Sequence, residues 1–368
     1  MLENQKIKKN HLGRFKQSYI TVSKHPYFGI VLTGFILIMI QVFGLMGLVN
    51  ASTVSLLTPA IIYFIVGLGY TLLLGYAGLA SLGTAGFIGL GTYIIAHMSG
   101  NLGLPTEFAV LAGIVIAILL GLVVGFISLR IEGMYLAIIT LGISEILVEI
   151  FKKNVAITHG NAGYNFFKLS FLGLESKLTN SFFITYYLIV IVMVLVMIWT
   201  INLIKSPTGR AMLAMKNSTS AAQAMGISVL KYRLLAFVIA TVIAIFGGML
   251  YMLRFLNTQP GSWGIALSLN ILAAVVIGGT KSMYGVMAGT FIIFALNDIV
   301  LKRMAFFQEF PNASYILNGL LIILVVMFYP GGIVRLFTDI KNWMIKLSKK
   351  IKSGWRDYHY GKDTNITE

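Results

Sequence analysis

The sequence predicts an all-α integral membrane protein, a polytopic bundle of about ten transmembrane helices. The chain of 368 residues is 58% hydrophobic and 11% charged, whereas soluble chains carry roughly 25% charged residues. Its apolar residues are gathered in runs of about 17–25 residues, the length that crosses a bilayer. One apolar region, from Gly75 to Gly91, reads GYAGLASLGTAGFIGLG. So many small residues indicate close backbone packing or a broken, re-entrant segment, because a lipid-facing helix would carry Leu, Ile and Val.

Ten apolar runs are predicted to cross the membrane, or nine if one of the short, glycine-interrupted runs does not. The first run is too long for the apolar core of a signal peptide, about 7–15 residues, so we expect an uncleaved helix there. The predicted spans are residues 27–49, 58–75, 83–99, 107–128, 133–151, 182–204, 233–255, 266–280, 283–301 and 314–329.

Charge predicts the orientation of the chain. Most of the 28 Lys and Arg residues lie before residue 27, between residues 205 and 233, or after residue 334. By the positive-inside rule these segments are cytoplasmic, which places both termini inside and predicts a multi-pass protein of the cell membrane. The predicted organisation is a basic cytoplasmic tail (1–26), a membrane domain (27–330) with a cytoplasmic loop (205–233), and a second basic cytoplasmic tail (331–368).

Residue counts and spacing exclude several functions. The chain has no cysteine, which excludes disulfides, thiol catalysis and cysteine-bound metals. Its five histidines are scattered, so neither a metal site nor a cofactor is predicted. The net charge of +16 does not indicate nucleic-acid binding, because no compact basic domain exists to carry it. The segment GGTKS (278–282) lacks the glycine–lysine spacing of a phosphate loop, so the chain itself is not predicted to hydrolyse ATP.

The 205–233 loop is predicted to contain a short helix. Residues 217–219 supply N-cap side chains, residues 220–225 favour a helix, and Gly226 is placed to end it in the left-handed conformation. So short a helix is unstable alone in water, where about 12–15 residues are needed. We therefore expect it to dock on another surface.

Two surfaces are candidates for that docking. A groove in a partner protein would take the small apolar face formed by Ala221, Ala222 and Met225, with Ala222 at its centre. Alternatively, the helix lies on the membrane and the cations of the loop face anionic lipid. Those cations are Lys216, Lys231 and Arg233.

Three acids lie within predicted spans, where a charged group is costly and indicates a function. Glu145 lies deep in the fifth span, and two interpretations stay open. It either faces a polar pathway or holds a neighbouring broken helix, or it makes a structural hydrogen bond inside the bundle. Glu149 is predicted to pair with the lysines one turn later, and Asp298 with Lys302.

A glycine–serine pattern occurs in both halves of the chain. Gly78-x-x-Ser81 and Gly279-x-x-Ser282 each interrupt an apolar run. Interrupted segments in corresponding positions point to a shared central site. For the stripe Ser282, Gly285 and Gly289, helix packing is the main interpretation.

The residues of the 205–233 loop resemble a known family. Ala221-Ala222-x-x-x-Gly226 matches the core of the cytoplasmic loop of ABC importer permeases, with Ser220 where a Glu is usual. The wider segment 206–237 resembles the coupling loop of the branched-chain amino acid ABC permease family, and the M-type (LivM-like) subunit most closely. Further segments resemble the family in the same order, over about residues 55–335. They are 75–93, 130–146, 161–163, 276–285 and 328–333.

The resemblance implies the permease subunit of an ABC importer, which forms the translocation path for branched-chain or other small amino acids. It implies as partners a second homologous permease subunit, two ABC ATPase subunits, an extracytoplasmic substrate-binding protein and membrane lipid. The residues it assigns to ATPase coupling are Gly209, Arg210, Ala221, Ala222, Met225 and Gly226. Those assigned to the translocation path or to helix packing are Gly78, Ser81, Gly83, Tyr135, Thr140, Glu145, Gly279, Ser282 and Gly285.

Three alternatives remain at this stage. Within the same family, the substrate is a sugar, a nucleoside or urea. In a different class, the chain is an ion- or proton-coupled secondary transporter, which would place ionisable relays in the membrane and would not need a docked cytoplasmic helix. A membrane-embedded enzyme is the third, but no nucleophile–base pair or metal cluster supports it.

Overall fold

A computed structural model describes residues 27–46, 51–128, 134–166, 168–171, 174–177 and 182–296, together with a few positions between 319 and 339. Four predictions fall wholly or largely outside the described residues. They are the two basic tails (1–26 and 331–368), the last span (314–329) and the Asp298–Lys302 pair.

The described chain is mainly helical. Three helices continue into π-helical turns, at Thr71–Tyr76, Ala96–Asn101 and Phe291–Leu296. The helices are α1 (Phe28–Leu45), α2 (Ala51–Tyr70), α3 (Thr84–Ile95), α4 (Thr106–Ser128), α5 (Met134–Lys153), α6 (Val155–Thr158), α7 (Phe182–Lys205), α8 (Pro207–Asn217), α9 (Thr219–Ala224), α10 (Val229–Phe255), α11 (Ile265–Gly278) and α12 (Met283–Thr290).

The described strands are short and lie in connections. β1 (Tyr164–Asn165) pairs antiparallel with β4 (Asn257–Thr258), which fastens the α5–α7 connection to the end of α10. β2 (Lys168–Phe171) and β3 (Leu174–Lys177) form an antiparallel pair. Short 3-10 turns lie at Gly160–Ala162 and Pro260–Trp263.

Five of the described segments are long and apolar enough to cross a membrane, which confirms the helical membrane class. They are Leu56–Tyr76, Thr106–Ile127, Ile184–Lys205, Val229–Phe255 and Pro260–Gly278. Phe28–Gly44 and Met283–Ala295 are shorter apolar helices. The total of ten spans and the sides of the termini stay predictions.

The core is built around α10, which packs against α2, α3 and α4. The contact between α3 and α10 is close because each helix presents a glycine to a backbone carbonyl of the other. A side chain on Gly91 would collide with the Ile245 carbonyl, and one on Gly248 with the Ile88 carbonyl. All but one of the residues of α3 are buried. The glycine-rich region is thus an internal helix, as its small residues predict, with α4 and α5 packed outside it.

Candidate functional site

The first glycine–serine segment is a break between α2 and α3. The π-helical end of α2 is terminated by two hydrogen bonds, in which Ala77 N–H and Leu79 N–H donate to the carbonyls of Leu72 and Leu73, each at 3.0 Å. Gly78 then takes φ +73°, a left-handed conformation that a side chain would strain. Three residues later, Ser81 Oγ accepts from Gly83 N–H at 3.3 Å, just before α3 begins.

The second glycine–serine segment repeats this arrangement between α11 and α12. α11 ends at Gly278, Gly279 takes φ +103°, and Ser282 Oγ caps α12 by accepting from Gly285 N–H at 3.2 Å. The two breaks also touch, since a side chain on Gly75 would collide with the Thr280 carbonyl. The sequence pattern correctly indicated two similar interruptions, and the fold brings them together.

The buried start of α3 is capped by side chains from two other helices. Leu82 N–H donates to Thr140 Oγ1 at 3.0 Å, and Gly86 N–H donates to Ser144 Oγ at 3.0 Å, both hydroxyls belonging to α5. Ala85 N–H donates at 3.0 Å to Ser268 Oγ of α11. The first amides of a helix lack partners within it, and water is not at hand in a membrane bundle. These hydroxyls therefore allow a helix to begin inside the protein.

Sequence reasoning assigned Thr140 but missed Ser144 and Ser268. Thr140 and Ser144 are four residues apart on α5, so they lie on one face of the helix. That spacing was the available signal. No comparable local signal existed for Ser268, because its partner amide is 183 residues away in the chain.

The residues assigned to the path or to packing divide into two groups. Ser81, Gly83, Thr140, Gly279 and Gly285 are buried, and their contacts fit the packing interpretation. The exposed group is Gly78, Tyr135 and Glu145, while Ser282 is half-buried.

Glu145 lies on an exposed face of α5. It has no hydrogen bond or ion pair with any described residue, so the described helices offer no support for the interpretation as a structural hydrogen bond inside the bundle. Glu149 does pair as predicted, with Lys152 Nζ at 2.7 Å and Lys153 Nζ at 4.0 Å. The same face exposes Tyr135, Ile138 and Gly142, and no atom of another described element comes within 4 Å of a Cβ placed on Gly142.

α11 also packs against α5. Glu145 directly follows the capping Ser144, and the exposed Asn270 lies two residues after the capping Ser268. Each of the two capping helices thus also exposes a polar residue. α4 exposes large apolar side chains of the kind that face lipid, including Leu111, Leu119 and Val123.

The predicted short helix of the 205–233 loop is confirmed, with bounds one residue earlier than expected. Ser218 caps α9, its Oγ accepting from Ala221 N–H at 3.2 Å, and Gly226 has φ +78° after the last turn. Ahead of it lies α8, capped by Ser206, whose Oγ accepts from Gly209 N–H at 3.3 Å. Cap chemistry alone therefore located this helix.

The predicted apolar face of α9 was wrong in one respect. Ala222 is 3% exposed and packs inward, whereas Met225 is 82% exposed. Ala221 and Gly226 are exposed too. A six-residue helix must bury one side against its own chain to be stable. Ala222 serves that contact, and any partner meets the opposite side.

The other two residues assigned to coupling lie at the start of α8. Gly209 is buried and approaches the carbonyls of Leu203 and Ile204 so closely that a side chain would collide with them. Arg210 is exposed, and its Nη1 donates to the Lys205 carbonyl at 2.9 Å. Both residues therefore shape the corner between α7 and α8.

Lys216, at the end of α8, connects this loop to the first break. Its Nζ donates to the carbonyls of Leu74 and Gly75, each at 2.8 Å. Partial burial, and to a smaller extent the charge of Lys281, lower the pKa of Lys216. Sequence reasoning gave this lysine a role only in the alternative in which the loop lies on anionic lipid, since nothing local signals a partner about 140 residues earlier.

Helices interrupted inside a membrane bundle are typical of transporters. A family model described as "Branched-chain amino acid transport system / permease component" matches residues 52–326, and the chain belongs to this family. It is thus a multi-pass protein of the cell membrane and a permease subunit of an ABC transporter, a complex with other membrane and ATPase subunits.

Individual relatives agree with the family. The high-affinity branched-chain amino acid transport system permease protein LivM of Salmonella typhimurium is 30% identical over 329 residues, covering 83% of this chain and 74% of the relative. Its namesake in Escherichia coli is 30% identical over 308 residues, covering 78% and 71%. The fructose import permease protein FrcC of Rhizobium meliloti is 26% identical over 287 residues, covering 75% and 77%. No solved structure matches the chain.

The capping of α3 leads to a stability prediction. Thr140→Val keeps the side-chain shape but leaves Leu82 N–H unpaired, which should lower the free energy of unfolding by about 1–2 kcal/mol. Thr33→Val is the matched control, because Thr33 Oγ1 donates at 2.8 Å to the Gly29 carbonyl of its own helix. Thermal unfolding of the purified subunit in detergent measures the stability of both variants. An unfolding temperature of Thr140→Val equal to that of Thr33→Val would contradict the capping role.

Proposed function

We propose that this chain is the translocating subunit of an importer that carries branched-chain or other small amino acids into the cytoplasm. Two partner ATPases supply the energy, and an extracytoplasmic protein delivers the substrate. The observation that carries the proposal is the 205–233 loop, in which α9 exposes Met225 while Lys216 holds the loop against a membrane break. An ion-coupled transporter has no need of such a loop.

The relatives support amino acids over other substrates. The two bacterial relatives at 30% identity are named for branched-chain amino acids, whereas the fructose permease is 26% identical. A sugar is therefore the second candidate substrate, and an uptake assay with the reconstituted complex tests it.

A second homologous permease subunit is proposed to cover the exposed face of α5 and α11. A carboxylate at the centre of a lipid-facing helix costs about 3 kcal/mol. Glu145 is exposed there without a described partner, and Gly142 beside it leaves room for close approach of another helix. Small residues and polar groups on one face are typical of contacts between membrane helices. The path would then run between the two subunits, with Glu145 and Asn270 at its wall.

The ATPase is proposed to dock on the exposed side of α9. This side carries Ala221, Met225 and the end of the helix at Gly226. An exposed methionine adapts to an irregular groove. The positive charge of the 205–233 loop agrees with the cytoplasmic location that the positive-inside rule predicts for it.

Uptake by the reconstituted complex tests the function. Proteoliposomes with both permeases, the ATPases and the binding protein should accumulate labelled leucine, isoleucine or valine only with ATP. An ATPase variant that cannot hydrolyse ATP should abolish uptake. Uptake driven by a proton or sodium gradient without ATP would overturn the proposal. Uptake of fructose in place of amino acids would establish the second candidate.

Met225→Asp tests the docking side of α9. The side chain is 82% exposed, so this change should leave the free energy of unfolding within about 0.5 kcal/mol of the parent. A new carboxylate would have to be desolvated against the ATPase, so co-purification of the ATPase should be lost. Ala222→Asp should instead destabilise the loop itself, because Ala222 is buried. Normal co-purification and uptake with Met225→Asp would place the ATPase elsewhere.

Gly142→Trp tests the proposed subunit contact. Within the described residues nothing packs within 4 Å of a Cβ at this position, so the isolated subunit should fold normally. The indole should prevent a second permease from packing on α5, and pairing measured by co-purification should fail. Leu119→Trp is the matched control, because Leu119 is 58% exposed on the apolar face of α4. Equal pairing in both variants would exclude this face as the contact.

A further inference from the structure

The carbonyls at the end of α2 are shared between the chain's own amides and one distant side chain. Those of Leu72 and Leu73 accept from amides just beyond the helix. The next two, of Leu74 and Gly75, accept from Lys216 Nζ, each at 2.8 Å. A cation at the negative end of a helix dipole is favourable. Lys216 thus serves as the C-terminal cap of a membrane helix although it belongs to the 205–233 loop.

The stem of Lys216 also covers the residue at which the break turns. Its Cγ lies 3.1 Å from the position of a Cβ on Gly78, and its Cβ lies 3.7 Å from the same point. Gly78 has φ +73°, so this is the point at which the chain leaves the helix. The side chain at the end of α8 therefore contacts both the helix end and the turn that follows it.

The second break meets the same junction. Gly75, whose carbonyl accepts from Lys216, also touches the Thr280 carbonyl. The charge of Lys281, the next residue, acts on the Lys216 ammonium. One side chain of the loop therefore touches the first break and lies beside the second.

We infer that Lys216 is a positioning residue that transmits movement of the 205–233 loop to the two helix breaks, and so couples ATP hydrolysis to opening of the path. The inference rests on the proposed function, which assigns this loop to the ATPase. A lysine suits the task because one ammonium donates to two carbonyls at once, and a flexible stem follows the turn. Its ammonium is engaged by backbone carbonyls, which distinguishes it from a lysine held by anionic lipid.

Substitution of Lys216 in the reconstituted complex tests the inference. Lys216→Met keeps an apolar stem over Gly78 and removes both charge-assisted hydrogen bonds. It should retain ATPase co-purification and basal ATP hydrolysis. Amino acid uptake should fall about tenfold, because a tenfold change in rate corresponds to a loss of only about 1.4 kcal/mol of coupling free energy. Stimulation of hydrolysis by the loaded binding protein should be lost. Lys216→Arg keeps two donors and should recover part of the uptake.

Lys231→Met is the matched control, because Lys231 is an exposed lysine in the first turn of α10, in the same loop region. It removes the same charge and should leave uptake and stimulation unchanged. Equal uptake by Lys216→Met and Lys231→Met would overturn the inference. Some loss of stability is expected in Lys216→Met, because two carbonyls lose their donor. Loss of ATPase co-purification, or failure of the subunit to assemble, would overturn the inference too, since the residue would then be structural. Absence of ATP-dependent uptake by the unmodified complex would instead contradict the proposed function. Failure of the proposed function is thereby distinguished from failure of the inference about Lys216.

Discussion

The structure depends on a single constraint, which is that every backbone group at an interrupted membrane helix must be satisfied by the protein. Away from water an unpaired amide or carbonyl costs several kcal/mol. The start of α3 meets this constraint with hydroxyls from α5 and α11, and the end of α2 meets it with Lys216. Each solution ties a break to another element. The breaks are consequently the points at which α2, α3, α5, α11 and the 205–233 loop are joined.

Close backbone contact follows from the same residues. The glycines that permit the breaks also let α3 approach α10 and let the two breaks touch. Small residues at helix contacts replace the hydrophobic driving force, which is weak between helices surrounded by lipid. The close α3–α10 contact thus lies next to a turn whose carbonyls are held by one distant side chain, Lys216.

The exposed residues of α4 and α5 differ in one respect. α4 exposes large apolar side chains, as a lipid-facing helix does, while α5 exposes Gly142 and Glu145 among apolar residues such as Ile138 and Ile146. The hydroxyls that α5 and α11 turn toward α3 are close in sequence to polar residues that these helices expose, Glu145 and Asn270.

The sequence by itself determined the features that depend on local chemistry. Apolar length and low charge established the membrane class, cap residues located α9 and its end at Gly226, and the glycine–serine pattern marked both breaks. Tertiary structure decided which way each side chain faces. Ala222 turned inward and Glu145 outward, because helices that are apolar on all sides carry little periodicity to orient them. Only the fold could join Lys216 to Gly75 across 141 positions, since no local pattern encodes so distant a partner.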